Sequence, residues 1–179
     1  MRLILLRHAK SSWDTPGLRD HDRPLDPRGE RAAPAMGRHL SDSDFRVDRV
    51  LTSTAVRAMS TALAFVEAFD PRIPVLERRD LYHADPWDML EIARDAGLGR
   101  DDVRIMLVGH NPGMHDLALD LCGEGDPRQV RRLEKKFPTG ALAEFELPDA
   151  DPTELGEGAG RLVRFLRPKD LPDADILRL

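Results

Sequence analysis

Two apolar runs constrain this chain more than any other feature: RLILLRH near its start and VRIMLVGH from residue 103. Each is continuous rather than alternating, is short, and closes on a histidine. A strand of that kind has both faces apolar, so both faces need cover. Sheets covered on both sides are mainly parallel, with helices packed above and below.

The intervening sequence supplies those helices. Residues 13–29 carry Pro16, Gly17, Pro24, Pro27 and Gly29 and read as a long loop. ERAAPAMGRHLS then sets Ala32, Ala33, Met36 and Leu40 on one helical face, with Pro34 expected in the first turns, where its missing N–H is tolerated. VDRVLTST reads as a second strand. AVRAMSTALAFVEAF reads as a helix with Ala55, Met59, Ala62, Leu63 and Val66 near a 3.6 period. PVLERRDLYHA gives a short strand and a loop, and PWDMLEIARDAG a helix with proline at its start and glycine at its end. MHDLALDLCG is the helix after the second histidine; residues 123–138 are polar and basic. GALAEFEL and RLVRFLR close the chain as two strands around an Asp/Pro/Gly-rich connection at 148–160. Strands alternating with helices predict one domain, residues 1–179, folded as a three-layer α/β/α sandwich with a mostly parallel central sheet. The last strand pair is expected to add an antiparallel edge.

In such folds ligands bind beyond the carboxyl ends of the strands. Three strand ends stand out: Arg7–His8, Thr52–Ser53–Thr54 leading to Arg57, and Gly109–His110. Two arginines and two histidines are thus expected at one pocket. Guanidinium forks match phosphate oxygens in a bidentate way. A neutral imidazole is a competent nucleophile, and covalent catalysis splits one displacement into two easier steps.

The motifs LLRHAKSSW, DRPLDPRG, TSTAVRAMSTA and LVGHNPG, in that order, resemble the histidine phosphatase superfamily. They look most like its small branch, which includes the SixA-type phosphohistidine phosphatases. The resemblance covers most of residues 1–147 and implies a phosphoglycerate mutase-like fold. It implies that His8 attacks phosphorus, that Arg7, Arg57 and His110 hold the phosphoryl oxygens, and that no metal or other cofactor is needed. Ser11, Asp14, Arg23 and Asn111 lie where further phosphate or substrate contacts are expected, and the helix start at Asn111–Gly113 offers backbone donors to an anion. Arg19, His21 and Arg23 are candidates for the pocket rim. Ala9 follows the histidine where many relatives have glycine, the pattern of the SixA-like branch.

A general acid is harder to assign. Mutases and many acid phosphatases of this superfamily use a carboxylic acid to protonate the leaving oxygen. The corresponding stretch, ERRDLYHADP, offers Glu77, Asp80 and Asp85, of which Asp85 is the candidate taken forward. A nitrogen-linked phosphate needs less help, because an imidazole leaving group accepts a proton on its other nitrogen. The chain is too short for the large caps of phytase-like relatives, so an open pocket is expected. Such a pocket suits a protein-borne phosphohistidine or a small phosphorylated metabolite. The motifs are also compatible with a mutase and with a slow-turnover phosphoprotein-binding module; the intact His8 argues against the second.

Composition excludes several classes. Net charge is −5, so no global basic field favours nucleic acid, and RQVRRLEKK reads as a solvated helix face. Cys122 is the only cysteine, so no intrachain disulfide or CxxC site exists; a small buried residue in a reducing compartment is expected. No apolar run reaches the roughly 18 residues of a membrane span, and no secretory leader is expected. The chain is therefore read as cytoplasmic, with no membrane partner. His39, His83 and His115 are assigned surface or core roles, and no HxH or HExxH spacing supports zinc. Trp13 and Trp87 are placed either near the pocket mouth or in packing roles.

Overall fold

The computed structural model describes residues 1–97, 102–148 and 155–172. Its strands are β1 (Arg2–Arg7), β2 (Arg49–Ser53), β3 (Val75–Arg78), β4 (Arg104–Gly109), β5 (Cys122–Gly125), β6 (Leu142–Glu146) and β7 (Gly160–Leu166). Its helices are α1 (Pro27–Ser41), α2 (Val56–Val66), α3 (Pro86–Gly97), α4 (Gly113–Leu121) and α5 (Pro127–Lys135). All seven strands form one sheet in the order β3-β2-β4-β1-β6-β7-β5.

Strand periodicity explains the two apolar runs. Leu3 and Leu5 of β1, with Ile105 and Leu107 of β4, join a cluster that contains Met89, Leu90 and Leu117 from α3 and α4. Ile4 and Leu6, with Met106 and Val108, join a second cluster that contains Met36, Ala62 and Phe65 from α1 and α2. Successive side chains point to opposite faces, and each face meets a helical layer, so neither run can alternate with polar residues. This is the α/β sandwich with a mostly parallel sheet that the sequence predicts.

Pairing then fixes the strand ends. β1 lies parallel to β4 with Arg7 opposite Gly109, and the His8 N–H donates to the Gly109 carbonyl at 3.0 Å. β2 lies on the other side of β4, with Thr52 opposite Val108. His8, His110 and Ser53 therefore emerge at one edge although more than forty residues separate each from the next along the chain.

Four details differ from the sequence reading. The C-terminal pair is not an edge: β6 inserts beside β1, antiparallel to it, and β7 follows on β6. The described edges are β3 and β5, and β5 occupies the Cys122–Gly125 stretch read as the end of a helix and the start of a polar, basic segment. α1 starts at Pro27, because Asp26 caps it by accepting from the Gly29 N–H at 2.8 Å. Pro34 consequently lies in mid-helix, where its ring denies Glu30 an i→i−4 partner. On α2 the buried stripe is Ala58, Thr61, Ala62, Phe65 and Val66, while Leu63 is 49% exposed.

α1 and α2 approach closely because Gly37 has no side chain. A Cβ there would overlap the backbone carbonyl of Phe65, which cannot move without shifting α2. Gly37→Ala is expected to cost about 1–3 kcal/mol, the range for overpacking a close-packed core. Urea unfolding of the two proteins checks this; an unchanged midpoint would show that the helices can separate freely.

Candidate active site

Arg7 ends β1 and His8 follows it, Arg57 lies in the first turn of α2 just beyond β2, and His110 follows β4. The fold brings the histidines and Arg57 into direct contact. Arg57 Nε donates to His8 Nε2 at 3.3 Å and its Nη2 donates to His110 Nδ1 at 3.2 Å. The two imidazole centroids stand 5.1 Å apart. Arg7 Nη1 donates to the Phe137 carbonyl at 2.8 Å, and its buried Nε has no hydrogen-bond partner among the described residues. His8, Arg57 and His110 are buried, and Arg7 is half-buried.

Hydrogen bonding fixes the tautomers. His8 Nδ1 lies 2.6 Å from the Ala9 carbonyl, which can only accept, so Nδ1 carries the proton and Nε2 carries a lone pair. His110 accepts from Arg57 at Nδ1, so its Nε2–H donates to Ser53 Oγ at 2.9 Å. Both rings are held neutral. Burial is the main cause for His8; the Ala9 bond opposes it, Arg57, Arg7 and Arg23 add smaller repulsions, and the pKa falls to about 4. Burial followed by His8, Arg57 and His83 lowers His110 to about 3, against the opposing pull of Asp20. Burial, with Arg57 nearby, also lowers Arg7 from the usual arginine value.

The chain beyond His8 is pinned from two sides. Thr61 Oγ1 accepts from the Ala9 N–H at 2.9 Å and donates to the Arg57 carbonyl at 2.7 Å, tying the strand end to the arginine-bearing helix. Gly140 N–H donates to the Arg7 and His8 carbonyls, both at 3.1 Å.

Other candidates from the sequence divide into two groups. Arg23 is buried and holds the first loop together: it donates to the Ser12 carbonyl at 2.9 Å, to Ser11 Oγ at 2.8 Å and to Asp20 at 2.9 Å. Trp13, 78% exposed, lies against its guanidinium 3.2 Å from the ring centroid. Asn111 donates to the same Phe137 carbonyl as Arg7, at 3.1 Å, and its buried Oδ1 has no partner among the described residues. His21 bonds Thr54 at 3.0 Å on the rim. Arg19 and Asp14 are exposed, bonding Asp22 and Ser12 respectively. Asp85 is exposed at the start of α3, Asp80 pairs outward with Arg78 at 2.5 Å, and Glu77 is exposed. His39 is exposed and His115 bonds the Leu133 carbonyl at 2.8 Å. Trp87 packs on the core, and Cys122 is half-buried, its thiol pushed up by burial and by Glu134.

The sequence reading missed Asp20, Tyr82, Thr61 and the position of His83. Asp20 is the carboxylate of the site. Its side chain accepts from Arg57 Nη2 at 2.8 Å, from Arg23 and from the Tyr82 hydroxyl at 3.0 Å, and its backbone carbonyl accepts from Arg57 Nη1. Burial alone would raise its pKa, but the bonds from Arg23, Tyr82 and Arg57 outweigh it and bring the group to about 2. His83, exposed and at φ 59°, stacks on His110 with centroids 6.1 Å apart. Among the described residues no group of three or more His, Cys, Asp or Glu could hold a metal ion, and no helix is long and apolar enough to cross a membrane.

Known proteins share this arrangement of chain. A family model described as Histidine phosphatase superfamily (branch 1) matches residues 3–104. The uncharacterized protein Rv1276c of Mycobacterium tuberculosis (strain ATCC 25618 / H37Rv) is 36% identical over 172 residues, covering 92% of this chain and 100% of that protein. A structure from Agrobacterium tumefaciens, assigned as the phosphohistidine phosphatase SixA, superposes with a TM-score of 0.75 at 32% identity, covering 93% of this chain and 97% of that one. A structure of the protein histidine phosphatase SixA complexed with tungstate gives a TM-score of 0.73 over 96% of this chain and 99% of that one; at 22% identity it shows the fold alone.

Two neutral buried histidines make stability depend on pH. The unfolded chain protonates its histidines near the ordinary value of about 6.5, whereas His8 resists until about 4 and His110 until about 3. The unfolded state thus binds more protons in between, so stability is full above the ordinary histidine pKa and is lost as pH falls toward those folded values. Between roughly pH 7 and pH 5, above most carboxylate titrations, the urea midpoint of the wild type should fall, and that of His8→Asn should fall less. Parallel pH profiles for the two proteins would show that His8 is not held neutral.

Proposed function

Because this chain belongs to the histidine phosphatase superfamily, in its SixA-like branch, and is a phosphatase, we propose that it works through His8 on phosphohistidine carried by proteins. The observation that carries the proposal is the state of His8. Its Nδ1–H is fixed on the Ala9 carbonyl, so the Nε2 lone pair faces the Arg57 guanidinium and stands close to His110. Phosphoryl transfer is mostly a matter of positioning and of charge stabilisation, and this site supplies both from rigid strand and helix ends.

In the first step His8 Nε2 attacks phosphorus, the new N–P bond forms, and the substrate P–N bond breaks with its electron pair returning to the substrate imidazole. That imidazole, protonated on its other nitrogen, leaves neutral. Arg57, Arg7 and His110 bind the phosphoryl oxygens; the unpartnered Arg7 Nε–H supports this role for that residue. In the second step water attacks phosphorus, the His8 N–P bond breaks, and the pair returns to Nε2 as the water proton passes to phosphate or solvent. No carboxylic acid is required for such a leaving group. That fits a site whose contacting carboxylate, Asp20, is held ionised by three donors. The exposed setting of Asp85 gives no support for it as the acid.

This reading treats residues 1–179 as one catalytic unit and places the protein in cytoplasmic signal transduction, where histidine-bound phosphate is turned over. Wild type and His8→Ala are compared on a phosphohistidine peptide and on an aryl phosphate. Turnover of both should fall to background in the variant, and quenched wild type should carry acid-labile, base-stable phosphate on His8. Arg57→Ala should lose about 10²–10³ in kcat, the usual effect of removing a donor to a charged transition state. A wild-type preference for the aryl ester would move the substrate to small phosphate esters; full activity in His8→Ala would overturn the covalent route.

A further inference from the structure

A second concentration of charge lies at the same edge of the sheet as His8, on its other flank. The carboxyl end of β1 meets the start of β6, since Leu6 pairs with Leu142, and the end of β7, since Leu142 pairs with Leu166. The chain entering β6 and the chain leaving β7 line a cavity of about 400 Å³ there. Six cations surround it: Arg28 from the first turn of α1, Arg132, Lys135 and Lys136 from the end of α5, and Arg167 and Lys169 after β7. Among the described residues the remaining lining is Pro138, Thr139 and Pro168, and no carboxylate lines it. Asp170 pairs with Arg167 at 2.7 Å from outside that lining. A chain of net charge −5 has thus gathered six positive groups around one cavity. Like charges so placed raise the local potential and favour an anionic occupant.

The cavity is coupled by geometry to the catalytic end of β1. Its wall at Pro138 and Thr139 follows Phe137, whose carbonyl accepts from Arg7 and Asn111, and precedes Gly140, whose N–H donates to the Arg7 and His8 carbonyls. The cavity wall and the backbone that positions Arg7 and His8 thus share one short segment, residues 137–140.

We infer that the cavity docks an acidic segment of the phosphoprotein substrate, beside its phosphorylated side chain. The inference rests on the proposed role of His8 in phosphohistidine hydrolysis. A segment with several carboxylates fits better than a compact phosphate. Arg28, Arg132, Lys135, Lys136 and Lys169 are exposed, flexible side chains drawn from three chain segments. Tight sites for a small anion instead fix buried donors in one geometry. Mobile cations spread around an open groove read charge density, and they govern encounter rate and KM rather than the chemical step.

The test uses full-length protein and two charge reversals from different walls, Lys135→Glu with Lys136→Glu, and Arg28→Glu with Lys169→Glu. Binding of a fluorescent, unphosphorylated peptide rich in Asp and Glu is followed by anisotropy. In parallel, kcat and KM are measured for phosphohistidine peptides with acidic and with neutral flanks, and for an aryl phosphate. The acidic flank should lower the wild-type KM about tenfold, the sum of several weak surface ion pairs. That gain should vanish in both variants and at roughly 0.5 M salt, where screening is short-ranged. kcat and aryl phosphate turnover should not change. Equal KM values for the two flanks, with phosphohistidine still hydrolysed, would overturn the docking inference alone. Binding of the acidic peptide by wild type and not by the variants, with no P–N turnover, would uphold the groove and reject the substrate reading. Preferential binding of inorganic tripolyphosphate or of a single-stranded oligonucleotide would overturn the acidic-segment assignment.

Discussion

The parallel pairing of β1 with β4 is the constraint on which the site depends. Arg7 lies opposite Gly109, so the residues that follow, His8 and His110, leave the sheet side by side. Their rings reach 5.1 Å separation only because neither strand can slip. A shift of β1 by one residue against β4 would turn Leu3 and Leu5 from the α3/α4 face to the α1/α2 face, exchanging every core contact of that strand. The hydrophobic core thus sets the register, and the register sets the distance between the two imidazoles. Arg57 is then added from β2, which pairs on the far side of β4 and delivers its helix to the same edge.

That edge carries an electrostatic problem. Arg7, Arg23 and Arg57 all repel a protonated His8, and burial acts in the same direction and more strongly. A protonated ring could not attack phosphorus. The cations that suit a phosphate therefore also help to keep His8 unprotonated. Asp20 supplies the compensating charge without entering hydrogen-bond contact with either imidazole. It spans Arg57 and Arg23 from the outer side and takes the Tyr82 hydroxyl as a third donor. The long first loop has a definite task in this arrangement. Arg23 fastens it to Ser11 and Ser12, and that places Asp20 over Arg57.

The sequence exposes the parts of this site that end regular elements. A continuous apolar run stopped by Arg-His or Gly-His is visible because strand burial imposes the pattern, and Arg57 is visible because it opens a helix after a strand. Asp20, Tyr82 and Thr61 carry no such mark. Their partners lie 37, 62 and 52 residues away, and nothing in a solvated loop or a helix face announces a contact at that distance. The same limit explains the sheet order. GALAEFEL announces a strand, but its place beside β1 depends on where the chain crosses the sheet after α5. β5 is harder still: CGEG has neither alternation nor β-branched residues, and it is a strand because β7 offers it a free edge. The exposure of Leu63 has a similar cause, since α2 is rotated so that Thr61 reaches the Ala9 N–H and Phe65 meets α1.

Asp20 also bears on how a phosphoryl group would be accommodated at His8. The Arg57 guanidinium donates to His8, to His110 and to both the side chain and the carbonyl of Asp20. A dianion arriving at His8 would compete for the same fork. The competitor is a carboxylate that is 44% exposed, so its release to water costs far less than release of a buried ion would. The released carboxylate would still have Arg23 and Tyr82 as partners. Arginine can therefore exchange a carboxylate for a phosphate without any guanidinium or carboxylate being left buried and unpaired. An uncharged loop residue in place of Asp20 would leave Arg57, buried and charged, with only imidazole nitrogens and a backbone carbonyl. Under the proposed mechanism, the half-exposed placement of this one acid lets a buried arginine be both satisfied at rest and available to a phosphoryl group.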